Sequence, residues 1–441
     1  MKNTSSGLHP DPRADKGSSG AEPALLPPWL TLIGLGEDGR AGLSPAARHA
    51  LDSATLVVGG ARHLALAAPF PGEALAWPSP MHDAFPALLS RRGQPGQKVC
   101  VLASGDPFHH GVGSVLARHV APAEMICLPH PSAFSLAAAK LGWAIQDCLC
   151  ISLHGRMLER IIPHLAPRTR IIALTWDEST PAKLAALLSA RGFGPSSLTV
   201  LEALGGPREN IRSAHAEGFA LADINPLNII ALEVRAAAGA RIIPLTPGLA
   251  DEDFAHDGQI TKSEIRALTL SALAPRQGEL LWDIGAGSGS ISIEWCLRHP
   301  LNRALAIEAQ AARGARIRQN RLEFGAEGLE LVEGPAPASL DGLPVPDAVF
   351  IGGGLTVPGV FEAAWAALPD GGRLVANAVA LESETRLAAL HAAHGGTLKR
   401  FSISRLEPLG RMHGWRPAMP VTQWCVVKSE RHETEMNHGP A

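Results

Sequence analysis

Tyrosine is absent from this 441-residue chain, and there are only six cysteines. Cys100, Cys127, Cys148, Cys150, Cys296 and Cys425 are scattered along it. Cys148 and Cys150 are the one close pair, and a single residue between them is not the spacing of a zinc knuckle. No metal site is expected, and the thiols read as buried and reduced in a cytoplasmic protein. No run of eighteen apolar residues occurs, so no membrane span is expected. A strong charge of either sign is lacking too: the net value is −3 without a basic stripe, which argues against a nucleic-acid partner. The first residues, to about Pro23, are polar and lack the apolar core of a signal peptide. Residues 1–26 are expected to form a disordered leader and 431–441 a disordered tail. No nucleophile-plus-base motif is found, which points away from covalent catalysis. The length and a hydrophobic content of 46% allow two or three ordinary domain cores.

The most informative stretch is Leu280-Leu281-Trp282-Asp283-Ile284-Gly285-Ala286-Gly287-Ser288-Gly289. An apolar run ends in an acid and then three glycines at alternate positions, followed by Ile291-Ser292-Ile293-Glu294-Trp295. This reads as strand, tight turn and helix. The glycines admit a ligand close to the backbone, and the helix end offers free N–H groups. A second strand, Ala304–Ile307, ends in Glu308, which can accept hydrogen bonds from both hydroxyls of a ribose. Dinucleotide enzymes prefer G-x-G-x-x-G and seat a pyrophosphate there. Here G-x-G-x-G follows Asp283, and an acid beside the loop repels phosphate. The layout suits a ligand with a cationic amino-acid end, such as S-adenosylmethionine. Further strands are expected at Leu329–Val332 and Asp347–Ile351, running into Gly334-Pro335-Ala336 and Gly352-Gly353-Gly354, with late strands near Lys399–Ser404 and Thr422–Val427. A helix ending at Leu273 is expected to be capped by Thr261 or Ser263. Strand–helix alternation with an antiparallel ending is the class I methyltransferase pattern.

The first half also alternates. Trp29–Ile33 runs into Gly34-Leu35-Gly36-Glu37-Asp38, and Lys98–Ala103 runs into Ser104-Gly105-Asp106-Pro107, with Gly111 and Gly113 beyond. Ser44 with Pro45 should start a helix. Ser132 precedes a small-residue helix, and Cys150–Leu153 leads to His154-Gly155-Arg156. Gly34-Leu35-Gly36, Ser104-Gly105-Asp106-Pro107, Pro131-Ser132, Ser152-Leu153-His154-Gly155-Arg156 and Leu204-Gly205-Gly206-Pro207 occur in this order. Together they resemble the tetrapyrrole methylase superfamily, in its precorrin-6Y methyltransferase branch, over roughly Trp29 to Val234. That family's first loop often reads G-x-G-P-G, whereas Glu37 and Asp38 follow Gly36 here. The half from Gly258 to Lys428 resembles the decarboxylating partner of the same pathway, through Gly258-Gln259-Ile260-Thr261-Lys262, the Asp283–Gly289 loop, Ile351-Gly352-Gly353 and Asn377 with Leu381-Glu382. The whole therefore resembles the fused precorrin-6Y C5,15-methyltransferase (decarboxylating) family.

The resemblance implies an α/β architecture. A two-lobed tetrapyrrole methylase (class III) domain over 27–236 is followed by a linker at 237–257 and a Rossmann-like class I S-adenosylmethionine methyltransferase domain over 258–430. It implies one S-adenosylmethionine per domain. The first would lie between the lobes, near Gly34, Gly36, Gly105, Asp106, Gly111 and Ser132. The second would lie against Thr261, Asp283, Gly285, Gly287, Ser288, Gly289, Glu308, Gly334, Gly352 and Asn377. The implied substrate is a reduced tetrapyrrole, precorrin-6B, methylated at carbons 5 and 15 and decarboxylated. Arginines should hold its carboxylates: Arg156, Arg208, Arg212, Arg405, Arg411 or Arg416. Arg411-Met412-His413-Gly414-Trp415-Arg416 is expected to be a loop over the macrocycle, and His154 is a candidate proton carrier. A homo-oligomer is expected. Three alternatives stand beside this reading: a methyltransferase acting on another substrate such as RNA, a nicotinamide oxidoreductase, and an S-adenosylmethionine-binding scaffold with one inactive half.

Overall fold

Among the described residues, short apolar runs separated by glycine turns build three large sheets, and a two-stranded hairpin stands apart from them. The computed structural model describes residues 27–429, so the expected leader and the expected tail both lie outside the described residues. The chain divides into two units. Residues up to Ile145, with Leu201–Ile211 and Leu227–Ile229, form one; Gln146–Val200, Arg212–Pro226 and everything from Ile230 onward form the other.

The first unit carries β1 (Leu30–Leu35), β2 (Leu56–Gly59), β3 (Glu73–Ala76), β4 (Val99–Ser104) and β5 (Met125–Leu128). They lie side by side in the order β3-β2-β4-β1-β5, and every pairing is parallel. Both faces of a parallel sheet are covered, so β1 and β4 are apolar along nearly their whole length rather than alternating. Ser44 caps the helix Pro45–Asp52 by accepting the Ala47 N–H at 3.2 Å. Ser132 does the same for Ala133–Leu141 through Ser135, and Gly142 ends that helix in the left-handed region.

The remaining strands, apart from residues 201–202, 210–211 and 228–229, belong to the second unit and form two large sheets and a hairpin. One contains β6 (Cys148–Ser152), β7 (Arg170–Leu174), β8 (Ser197–Glu202), β9 (Asn210–His215) and β10 (Asn228–Glu233), in the order β6-β7-β10-β8-β9. β9 lies at the edge and alternates between exposed and half-buried residues, and so it carries no apolar signature in the sequence.

The other sheet has seven strands: β11 (Leu280–Ile284), β12 (Arg303–Glu308), β13 (Leu329–Glu333), β14 (Ala348–Ile351), β15 (Arg373–Ala378), β16 (Thr397–Phe401) and a last strand, Val421–Val427. Between β16 and that last strand, β17 (Ser404–Leu409) and β18 (Met412–Pro417) pair only with each other, which makes Val421–Val427 β19. The large sheet runs β13-β12-β11-β14-β15-β19-β16, parallel except where β19 meets its neighbours. β11 sends its chain to β12 on one side, and the sheet later resumes on its other side with β14. That reversal of direction opens a crevice at the carboxyl ends of β11 and β14. Leu280, Trp282 and Ile284 pack into one core with Val349, Leu374 and Trp424. Leu281 packs on the opposite face with Trp295, Phe350 and Val375.

A buried arginine ties the chain before this domain to its helices. Arg266, on the helix Ser263–Leu273, is fully buried and donates to the equally buried Glu294 at 2.5 Å and to the Leu249 carbonyl. Glu294 also accepts the Gly248 and Leu249 N–H groups at 2.7 and 2.9 Å. An ion pair taken out of water is costly to break, because the abandoned charge stays buried. Arg266→Met is therefore expected to lose about 3–5 kcal/mol of stability in urea unfolding monitored by tryptophan fluorescence.

Two sequence expectations are corrected here. The helix starting at Ser263 is capped by Lys262, whose side chain makes no capping bond, and not by Thr261 or Ser263; the Thr261 carbonyl instead accepts from Arg266. Residues 411–416 are not a loop: Arg411 sits in the turn and the rest is β18 of a hairpin. Cross-strand pairing of Leu406 with Trp415 and Leu409 with Met412 supplies the order that a loop would lack. All six cysteines are free; Cys100 and Cys296 are buried, while the other four are half-buried. No helix among the described residues is long and apolar enough to cross a membrane.

Candidate functional site

A cavity of about 760 Å³ opens at the carboxyl ends of β11 and β14. Thr261, Asp283, Gly285, Gly287, Ser288, Glu308, Gly334, Gly352 and Asn377 all line it. Gly289 does not: it sits at the start of the helix Ser290–Arg298 with φ +75°, and a Cβ there would face Ile317. Its job is to bring that helix onto its neighbour.

The glycine requirement is sharpest at Gly285. Its φ is +74°, and a Cβ would lie 2.8 Å from the Gly353 backbone. The turns after β11 and β14 therefore touch, and their close approach shapes the cavity floor. Glu308, at the end of β12, accepts the Gly287 N–H at 2.9 Å and the Gln310 N–H at 2.9 Å. It thereby fixes the glycine turn as well as facing the cavity.

Asp283 is 1% exposed. Its Oδ2 accepts the Ser292 amide at 3.2 Å and the Ser292 hydroxyl at 2.7 Å. Its Oδ1 is buried with no partner, as is the Ser288 hydroxyl. Burial pushes the carboxyl up to about 6, against the two Ser292 bonds and with the help of Glu308. A buried, unpartnered acceptor and hydroxyl at the wall of a glycine-floored cavity are matched by a ligand carrying a cationic donor. Asn377 is half-buried and held by the buried Thr269 at 2.9 Å and Gln423 at 3.0 Å, a polar triad across helix, β15 and β19.

The Gly258–Lys262 segment quoted from the sequence lines the cavity with Gln259 and Lys262, whereas sequence reading missed Arg313 and Met419. Arg313 donates to Asp257 at 3.0 Å and holds that carboxyl down at about 2. Neither of these two positions lies in a motif; folding of 257–262 over the helix Ala311–Phe324 is what reveals Arg313. Arg405, on β17, lines the cavity and donates to Glu264 at 2.5 Å. Arg411, His413 and Arg416 do not line it; they are exposed on the hairpin, and Arg416 pairs with Glu407 at 3.1 Å.

In the first unit, β1 and β4 are neighbours, so the turns that follow them meet. A Cβ on Gly34 would collide with the Gly105 carbonyl oxygen and the His130 amide nitrogen. Gly105 has φ +57°, and a Cβ there would lie 2.9 Å from the Ser132 Cα. Asp106 folds the next turn by accepting the Phe108 N–H at 2.8 Å, and a Cβ on Gly111 would lie 2.5 Å from the Pro107 carbonyl. A Cβ on Gly36 would come within 2.6 Å of Asp38 and His130. These residues thus form one glycine-packed edge. In the second unit, His154 is exposed, with Nδ1 3.2 Å from the Thr175 carbonyl. Arg156 faces Glu327 at 3.8 Å, and Arg212 donates to the Ala222 carbonyl at 2.8 Å.

The two sheet edges define a class: a tetrapyrrole (corrin/porphyrin) methylase domain, whose family profile matches residues 30–219, followed by a precorrin methyltransferase domain matching residues 252–428. A precorrin-6Y C(5,15)-methyltransferase (decarboxylating) of Sinorhizobium sp is 56% identical over 93% of this chain and 99% of its own length. One of the same name from Mycobacterium tuberculosis (strain CDC 1551 / Oshkosh) is 44% identical over 90% of this chain and all of its own. The crystal structure of the C-terminal domain of precorrin-6Y C5,15-methyltransferase from Rhodobacter capsulatus is 53% identical, covers 42% of this chain and all of that one, and has a TM-score of 0.41. The chain belongs to the precorrin-6Y C(5,15)-methyltransferase (decarboxylating) family.

Proposed function

We propose that this chain performs both methylations and the decarboxylation for which its relatives are named, converting precorrin-6B to precorrin-8. The first domain, over 27–236, would methylate carbon 5. The second, over 258–430, would methylate carbon 15 and release carbon dioxide from the C12 acetate, with 237–257 joining them. Each domain would take one S-adenosylmethionine. Asp283 carries this reading for the second domain, because its buried, unpartnered oxygen matches a cationic amino group rather than a phosphate. For the first domain the support is the Gly34–Gly105–Ser132 packing, which brings three backbone segments together without side chains between them.

Bound S-adenosylmethionine supplies an electrophilic methyl group on a sulfonium. A meso carbon beside a reduced pyrrole is enamine-like and electron-rich, so the chain need offer no nucleophile. Its work is to hold the reactants in line and exclude water. In the second domain, Asp283 would hold the ammonium end, Glu308 the ribose, and Gly285, Gly287 and Gly352 would let the backbone close on the ligand. Arg405, beside the cavity, is placed to orient a substrate carboxylate. Arg411, His413 and Arg416 would act from the hairpin, covering the macrocycle. His154 would carry a proton in the first domain. The electrons left by departing carbon dioxide can pass into the conjugated macrocycle, and a proton from solvent then adds at the former acetate carbon to leave a methyl group, so no separate cofactor is required for that step.

The hairpin also exposes Leu406, Leu409, Met412 and Trp415. Apolar side chains exposed in this way, two on each side of the hairpin, support a homo-oligomer, and the cytoplasm is the compartment proposed. The decisive test is mass spectrometry of products from precorrin-6B and S-adenosylmethionine with the intact chain. Two methyl gains and one carbon dioxide loss are expected. Methyl transfer without decarboxylation would leave only the methyltransferase part standing, and an unchanged mass would sink the assignment.

A further inference from the structure

Glu37 stands where the resembling family places a proline, and nothing in the reading above uses it. It is 9% exposed at its side chain and sits just after β1, at the carboxyl edge of the first sheet. Arg62 donates to its Oε1, and Arg208 reaches its Oε2 at 3.8 Å. One carboxylate thus lies between two guanidiniums drawn from distant parts of the sequence. The segment Leu204–Pro207 is pressed onto it so closely that a Cβ on Gly206 would lie 2.5 Å from the Glu37 Cβ. Gly206 is therefore required for Arg208 to arrive beside Arg62.

The second nitrogen of Arg62 donates to the Ser104 hydroxyl at 3.0 Å and lies 3.0 Å from His63 Nε2. A guanidinium only donates, so His63 Nε2 is an acceptor and the ring is neutral. The Ser104 hydroxyl, 2.8 Å from the same nitrogen, gives its proton to it. Burial and the adjacent Arg62 cation push His63 down to about 4, in line with that assignment. Within this cluster, then, two positive charges face one negative charge. Ser104 is exposed, and Arg62 and Arg208 keep 38% and 70% of their side chains open. Ser104 immediately precedes Gly105 on the edge where ligands of open α/β sheets bind.

We propose that Arg62 and Arg208 form a receptor for a carboxylate side chain of the substrate of the first domain, with Glu37 as the positioning residue that holds both arginines through its two oxygens. A second carboxylate balances the charge; the largely open fork of Arg208 matches it bidentately, and Arg62 adds the N–H groups that its partners leave free. This rests on the proposed tetrapyrrole substrate, whose acid side chains are the only part of it that this chemistry recognises.

The test uses the full chain and measures initial rates of methyl incorporation at carbon 5 against tetrapyrrole concentration. Arg62→Ala and Arg208→Ala are each expected to raise KM about tenfold, the loss of one charge-assisted hydrogen bond, with kcat within about twofold. Glu37→Gln should raise KM about threefold and weaken the additivity of the two arginine changes. Arg62→Lys should recover only part of the loss, because an ammonium lacks the fork. The affinity of the first domain for S-adenosylmethionine should not change, and decarboxylated product from the second domain reports that each variant is folded. Unchanged KM in Arg62→Ala and Arg208→Ala, with normal decarboxylation, would overturn the receptor. If the unmodified chain methylated no tetrapyrrole, the underlying functional reading would fall instead.

Discussion

Gly34→Ala is expected to stop methylation at carbon 5 while carbon 15 is still methylated and carbon dioxide still released; Gly285→Ala should do the reverse. Both follow from backbone meeting backbone. The Gly34 Cα faces the Gly105 carbonyl and the His130 amide so closely that a methyl group has no space. Neither of those groups is the free end of a side chain, so the two turns must separate. At Gly285 the methyl would meet the Gly353 backbone at 2.8 Å, and φ +74° adds a further cost of about 1–2 kcal/mol for any residue with a Cβ. Displacing a binding turn by an ångström costs on the order of 10²-fold in rate. Product masses from each variant, with S-adenosylmethionine binding stoichiometry measured by calorimetry, would check this. Loss of both methyl groups in either variant would mean that the domains do not work independently. Full activity in Gly285→Ala would remove the β11–β14 crevice from the mechanism. A chain with one inactive half would show one binding site before any substitution.

The elements that could be read from the sequence are those whose signal is local. Leu280–Ile284 is apolar without a break because both its faces are covered, and its glycine turn follows directly. Ser44 and Ser132 cap helices with their own side chains, a bond spanning only three residues. What escaped was set by distance. Arg62, His63 and Ser104 meet because β2 and β4 are neighbours, although the strands are far apart in the chain. Arg313 reaches the cavity only because Asp257 folds back against it. β9 and the β17–β18 hairpin expose most of their residues, so neither shows the two-residue apolar period that marks a half-buried strand. The hairpin was legible as a place of mixed charge and apolar rings; its pairing was not.

Asp283 makes the second large prediction, and its sign depends on burial. An unfolded aspartate titrates near 3.8, whereas in the fold this one is raised to about 6. Between those values the folded chain binds the extra proton, so the contribution of this group to stability is full at lower pH and is lost as pH rises toward 6. The difference corresponds to about 3 kcal/mol at most. A bound ammonium reverses the preference by stabilising the carboxylate. The affinity of the second domain for S-adenosylmethionine should therefore be flat above pH 6 and fall below it, by up to about tenfold per pH unit, as the ligand must displace a proton. Asp283→Asn should weaken binding at pH 7.5 by about 10- to 150-fold, the worth of a hydrogen bond to a charged group, should abolish the pH dependence of binding over this range, and should remove the share of Asp283 from that of stability. Titration calorimetry from pH 5 to 8, with urea unfolding across the same range, reads both. An affinity that ignores pH in the unmodified chain would mean that Asp283 does not face the cation. A slope that survives in Asp283→Asn would assign the titration to another group, with Glu308 the nearest acid that lines the same cavity.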